Sequence, residues 1–121
     1  EPKVFRNFGR ITEIACAMRA ALGRPDWGEV GRLLAEEWRL RRTNAPGIST
    51  PLIEKLIAAA RRSGGIAAKV CGAGGGGCVV FFVEKGAKER VQQALRASGG
   101  RVLPCRVARE GLTVAAVRDG S

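Results

Sequence analysis

Residues 72–77 read Gly-Ala-Gly-Gly-Gly-Gly, five glycines in six positions, between two runs of β-forming residues. Each unfolded glycine samples more conformations than any other residue, so such a cluster costs folding entropy. An ordinary hairpin needs one or two. The excess calls for backbone with positive φ, or for backbone approached by something that tolerates no Cβ. A run of exposed N–H groups can form an anion nest, and each hydrogen bond to a charged phosphate oxygen contributes roughly 1.5–3 kcal/mol. Lys69, at the end of the preceding strand, adds positive charge nearby. The plain alternative is a floppy connection that touches nothing; phosphate contact or close backbone packing is preferred.

Two nucleotide motifs are tempting here and both fail. Gly72, Gly74 and Gly77 spell GxGxxG, but a dinucleotide fingerprint opens a helix and needs an acid about 20 residues on. This loop opens onto Val79-Val80-Phe81-Phe82-Val83. Cys78 and Val79 stand where a Walker A loop needs Lys and Ser or Thr. The chain has no His and no Tyr, and its Asp residues are Asp26 and Asp119. Mechanisms that need an imidazole base, a His metal ligand or a tyrosyl acid are struck out. Cys16, Cys71, Cys78 and Cys105 show no CxxC spacing, and no His exists to complete a zinc set. Cys71 and Cys78 flank the loop and could face one another, although reduced cytosolic thiols are the expectation.

Three helices must come before this loop. Val4, Phe8, Ile11, Ala15, Met18 and Leu22 form one apolar stripe at steps of three and four, and Gly23-Arg24-Pro25 ends it, with Gly23 as a left-handed cap. Asp26 caps a second helix that carries Trp27, Val30, Leu33, Leu34 and Trp38; both tryptophans are expected in the core. Gly31 weakens this helix by about 1 kcal/mol against Ala, which suggests close packing. Thr50-Pro51 is an N-cap and first-turn pair for a third helix bearing Ile53, Leu56, Ile57 and Ala60, and Gly64-Gly65 closes it. The period then shortens. Residues 66–71 and 78–83 read as strands, the second covered on both faces or central, since it has no polar alternation. Ala87, Val91, Ala94 and Leu95 mark a fourth helix, stopped by Gly99-Gly100. Residues 102–107 and 112–117 read as two further strands around a turn at Arg109-Glu110-Gly111, with Pro104 demoting the first to an edge. This order favours an α+β fold, a ferredoxin-like four-stranded antiparallel sheet with helices packed mainly on one face.

The 121 residues amount to one domain, opening at Glu1-Pro2 with no Met, which points to a piece of a longer protein. No apolar run reaches the ~20 residues of a membrane span, and no signal-peptide pattern opens the chain. The net charge of +10 steers polyanions or anionic substrates toward the surface. The bases are scattered, however, and aromatics make up only 5%. That leaves little for base stacking, so nucleic-acid binding is not expected.

The run Ala67-Ala68-Lys69-Val70-Cys71-Gly72-Ala73-Gly74-Gly75-Gly76-Gly77-Cys78 resembles the third motif of the GHMP kinases: a small-residue and Lys lead-in, Gly-Ala-Gly-Gly-Gly, then an apolar strand. Asp26-Trp27 before Leu33-Leu34, then Ile48-Ser49-Thr50-Pro51 opening the next helix, is similar to that family's C-terminal domain. Glu37-Trp38-x-Leu40-Arg41-Arg42 followed by Ile48-Ser49-Thr50-Pro51 looks most like the bacterial heptose-phosphate kinase branch. The resemblance implies a two-domain enzyme moving the γ-phosphate of ATP, with Mg, onto a small-molecule hydroxyl or phosphate; a sugar or sugar phosphate is the favoured acceptor. It also implies a cytoplasmic protein whose catalytic N-terminal domain, absent from this chain, supplies the phosphate loop and any acid. This chain alone is then inactive, with no catalytic residue and no metal ligand of its own.

On that basis Gly72, Ala73, Gly74, Gly75, Gly76, Gly77 and Lys69 are candidates for contact with ATP phosphates at the cleft. Ser49 and Thr50, at a helix N-terminus suited to an anion, and Arg41 and Arg42 are candidates for the substrate. Cys71 stands where the family often has Ser or Thr, so the loop's role there rests on its backbone. Each position also has a plainer role: a strand-end Lys in solvent, a helix-capping pair, and two arginines at a helix end favoured by the macrodipole. The rival reading is a ferredoxin-like regulatory or ligand-binding module without catalysis. A basic RNA-binding domain comes third, and it predicts a steep salt slope.

Overall fold

The computed structural model describes residues 2–72 and 74–117. Ala73 and Asp119, both singled out above, lie outside the described residues. The order is α1 (Pro2–Gly23), α2 (Trp27–Arg41), α3 (Pro51–Arg62), β1 (Gly65–Cys71), β2 (Cys78–Val83) and α4 (Lys88–Ala97).

Local signals set most of these boundaries. Asp26 caps α2, its carboxylate accepting from the Glu29 N–H at 3.2 Å. Thr50 caps α3 in the same way, its Oγ1 accepting from Ile53 N–H at 3.2 Å with Pro51 in the first turn. The end of α1 differs from expectation. Gly23 remains in the helix and has no positive φ; the turn is closed instead by Asp26 N–H donating to Ala21 O at 2.9 Å.

β1 and β2 pair antiparallel, with Ala67 opposite Phe82, Lys69 opposite Val80 and Cys71 opposite Cys78, after an irregularity between Gly65 and Ala67. Successive strand residues point to opposite faces, and the core divides accordingly. Phe82 packs with Ile14, Ala21, Val30, Leu33 and Leu40 of α1 and α2. Val79 joins Trp38, Ile53 and Val70, and Phe81 and Val83 join Ala60, Ala87 and Val91 under α4. Helices therefore meet both faces of the hairpin, although Cys78 and Val80, on the same face as Phe82, stay exposed. This corrects the expected packing mainly on one face; of the unbroken apolar run of β2, the second face is covered only at Phe82. Gly31 sits where α2 crosses the hairpin: a Cβ there would lie 2.9 Å from Ile66 Cγ2 and 3.3 Å from the Phe82 ring.

The four-stranded ferredoxin-like sheet is corrected to a two-stranded one among the described residues. Residues 102–117 form no strand, and the expected turn survives only as a bend at Arg109 and Glu110. Alternating apolar residues determine which face a strand would bury, not whether an edge lies within reach. Pro104 also removes a ladder donor. Leu112, Val114 and Val117 are left almost fully exposed. Beside β2 an apolar groove of about 360 Å³ opens between Leu52, Leu56, Val79, Phe81, Leu95 and Leu103.

Two further expectations are corrected by burial. Trp38 is in the core at 6% exposure, but Trp27 is 56% exposed, its ring tilted by 32° against that of Phe82 with centroids 6.4 Å apart. The α1 stripe is rotated: Ile14 and Ala21 are buried with Ile11, Ala17 and Met18 against them, while Phe5, Phe8 and Leu22 face outward. Arg10 helps fix this orientation, its Nε donating to Glu36 Oε1 at 3.0 Å across the two helices. None of the described helices is long and apolar enough to cross a membrane.

Candidate functional site

The glycine loop does not hang in solvent. Gly75 N–H donates to Ile48 O at 2.9 Å, so residues 72–77 are tied to the segment that leads into α3. Gly74, at φ 98°, comes so close that a Cβ would lie 2.9 Å from both Cα and Cγ2 of Ile48. A Cβ on Gly75, at φ 81°, would lie 3.2 Å from Gly47 O. The absence of side chains thus serves a close approach between two backbones, as the glycine cluster suggested. The backbone approached belongs to this domain. By contrast, Gly72, Gly76 and Gly77 have no neighbour within 4 Å of an added Cβ. All three are exposed.

Ile48 itself is anchored beneath, packing against Trp38, Ile53 and Val70. The connection from α2 is held from outside by Asn7 of α1, whose Nδ2 donates to Asn44 Oδ1 at 2.8 Å and Thr43 Oγ1 at 3.1 Å. Ser49 and Thr50 therefore sit one and two residues beyond the point of contact, at the N-terminus of α3. Thr50 spends its hydroxyl on the cap.

The charged candidates fall into two groups, each gathered by a glutamate. Arg41 Nε donates to Glu37 Oε1 at 2.7 Å, its Nη2 contacts the same oxygen, and Lys69 Nζ lies 3.6 Å away from it. Glu37 is 8% exposed, and its other oxygen, Oε2, is buried without a hydrogen-bond partner among the described residues. The second group is on the surface. Arg42 Nη1 donates to Glu54 Oε1 at 3.0 Å, and Ser49 Oγ–H donates to the same oxygen at 2.6 Å. Lys69 is thus half-buried and paired rather than free in solvent, and Arg41 and Arg42 point to different partners.

Over residues 18–101 the sequence matches the family described as GHMP kinases C terminal. The chain belongs to the GHMP kinase family. This C-terminal GHMP kinase domain is 40% identical over 76 residues to a mevalonate kinase of Pyrococcus abyssi, covering 63% of this chain and 22% of the relative. It is 42% identical over 71 residues to a mevalonate kinase of Pyrococcus horikoshii, covering 59% and 21%. Against the D-glycero-alpha-D-manno-heptose 7-phosphate kinase of Campylobacter jejuni it is 31% identical over 102 residues, covering 84% and 30%. The matches span less than a third of the length of these relatives.

Sequence reasoning missed Glu37 and Glu54, which gather this GHMP kinase domain's charged candidates, and Asn7, which holds the connection after α2. For Glu37 a signal was present. It continues the series Val30, Leu33, Glu37, Leu40 on the inward face of α2, where a carboxylate needs buried cationic partners. Arg41 one turn on and Lys69 supply them. Asn7 gave no local signal, because its partners lie more than 30 residues away in sequence.

Proposed function

We propose that this domain closes one side of the active-site cleft of an ATP-dependent kinase, its glycine loop donating main-chain N–H groups to phosphate oxygens. The acceptor is a small-molecule hydroxyl, with a sugar phosphate preferred. The observation that carries this reading is the division within the loop. Gly74 and Gly75 are held against Ile48 and Gly47, which anchors a loop whose Gly72, Gly76 and Gly77 stay exposed. A fixed donor set needs no reorganisation when charge arrives, which is what phosphoryl transfer asks of a protein. Lys69, held to one side by Glu37, adds charge at the base of the loop. The net charge of +10 favours an anionic acceptor. The heptose phosphate kinase match, which covers 84% of the chain, supports a sugar phosphate; the mevalonate kinase relatives make mevalonate the second acceptor to test.

Mg²⁺ accompanies ATP in such chemistry, but the residues described here do not make a site for it. Among them no three Cys, Asp or Glu converge, and Glu37 and Glu54 are already held by cations. The metal ligands, the ATP phosphate loop and any group that orients the nucleophile are assigned to the N-terminal domain. The enzyme is proposed to be cytoplasmic.

The test uses the complete enzyme, both domains, with ATP and either a heptose phosphate or mevalonate. Gly77→Ala places a methyl in open space on the ligand side of the loop. Turnover is expected to fall roughly tenfold or more, the loss of about one charged hydrogen bond, while the protein stays folded. Unchanged kcat and KM for ATP would refute the loop's role. ATP-dependent transfer by residues 1–121 alone would refute the division of labour between the domains.

A further inference from the structure

The last rung of the β1–β2 ladder is Cys71 opposite Cys78, and both are exposed and unbonded. Directly opposed residues of an antiparallel pair have Cα atoms about 4.5 or 5.5 Å apart. Disulfides span Cα separations of about 4.4–6.8 Å. An opposed pair also projects its side chains to the same face of the sheet, so both thiols leave the hairpin on one side. Their Cβ atoms, about 4.5–5.5 Å apart in such a pair, need close only to the ~3.5–4.5 Å of a disulfide, a local adjustment at the end of the ladder. The six residues between them are the glycine loop. Cys16 on α1 and Cys105 beyond Pro104 are exposed as well, and neither stands in the ladder.

We propose that Cys71 and Cys78 are a reversible dithiol–disulfide pair, a clasp on the neck of the glycine loop, oxidised by a small anionic disulfide of the glutathione type. The thiolate of one cysteine attacks a sulfur of the small disulfide; a mixed disulfide forms and one small thiol leaves. The opposed thiolate then attacks the cysteine sulfur of that mixed disulfide, the Cys71–Cys78 bond forms, and the second small thiol leaves. Two electrons pass to the small disulfide, and the two cysteine protons end on the released thiols. The basic surface draws an anionic oxidant toward the chain. Being exposed and closing a short loop, the bridge is of the labile kind that thiol reductants reopen.

Closing the clasp ties Gly72 and Gly77 at the two ends of the loop, the same residues whose amides are open to a ligand. Drawing the two sulfurs together moves Gly72 and Gly77 from the positions the anchored loop gives them, so the bridged loop binds phosphate several-fold more weakly. Bridge formation is independent of the proposed kinase role; only this effect rests on it.

The test is made on the full 121-residue chain, equilibrated in mixtures of reduced and oxidised glutathione and then mapped by peptide mass spectrometry. The expected product links residue 71 to residue 78, lacks two hydrogens and reverts with dithiothreitol, while Cys16 and Cys105 carry only glutathione adducts or remain free. Cys71→Ser and Cys78→Ser should each stop at a single adduct on the remaining partner. Separate adducts on Cys71 and Cys78 with no link at any ratio, or links to Cys16 or Cys105 instead, would overturn the pair. Pyrophosphate binding to the reduced and bridged chains is then compared by calorimetry. Weaker binding by the bridged form supports the clasp, and equal affinity overturns its effect. No binding by either form overturns the loop's phosphate role, and the bridge is then judged by the map alone.

Discussion

Gly74 and Gly75 meet a wall, whereas Gly72, Gly76 and Gly77 meet open space. The two groups are chemically identical and lie within six residues, yet the lack of a Cβ does different work in each. On the wall side it permits a backbone-to-backbone approach that anchors the loop on residues 47–48. On the open side it leaves amides uncovered. A loop that must present fixed donors needs both: one part that holds and one part that is vacant.

The largest effect should come from attacking the wall. Gly74→Val forces a branched side chain into Ile48 at a positive φ, and overpacking together with backbone strain should cost about 3 kcal/mol or more, read by urea denaturation. A variant as stable as the parent would erase the distinction between the two sides. Gly75→Val is a less clean probe of function, because it strikes the same wall. Gly77→Ala, with nothing in its way, should cost only about 1–2 kcal/mol for its left-handed backbone while turnover falls as described above. Equal damage to stability from Gly74→Val and Gly77→Ala would break the comparison. Thr50→Ala removes the cap two residues past Ile48 and should cost about 1 kcal/mol. A changed Gly75 amide signal in that variant would show that the cap sets the wall.

The smallest effect lies far from the loop, at Glu29. The Arg32 guanidinium, hydrogen-bonded to it, holds its carboxyl below the usual carboxylate range, and desolvation opposes this only in part. A lowered folded-state value means that the stabilisation is present at neutral pH and is lost as pH falls through the folded value. Arg32 is exposed and Glu29 partly so, so the effect should be slight and screened by salt. Acid titrations of the parent and Glu29→Gln should therefore differ only slightly, and should agree in high salt.

What was legible in the sequence was local. The Asp26 and Thr50-Pro51 starts and the tight packing at Gly31 follow from chemistry within a turn or two of each residue, whereas two-sided burial of β2 holds only at Phe82, with Val80 exposed. The close approach at the glycine loop was legible from composition alone, but its partner, Ile48, was not. That partner is specified by how α3 enters the core, 26 positions before Gly74 and 27 before Gly75. The phase of α1 was misread because Phe5, Phe8 and Leu22 are as apolar as Ile11 and Ile14, and hydrophobicity does not say which face turns inward. Residues 102–117 were misread for a related reason, since alternation describes a strand that still needs an edge.

The unequal fates of Trp27 and Trp38 give the domain two optical reporters of opposite kind. The enclosed indole of Trp38 should emit toward the blue and shrug off aqueous quenchers, whereas that of Trp27, open to water beside Phe82, should emit toward the red and be quenched readily. Anything that comes to lie over that aromatic corner will register as a change in colour of the second signal alone.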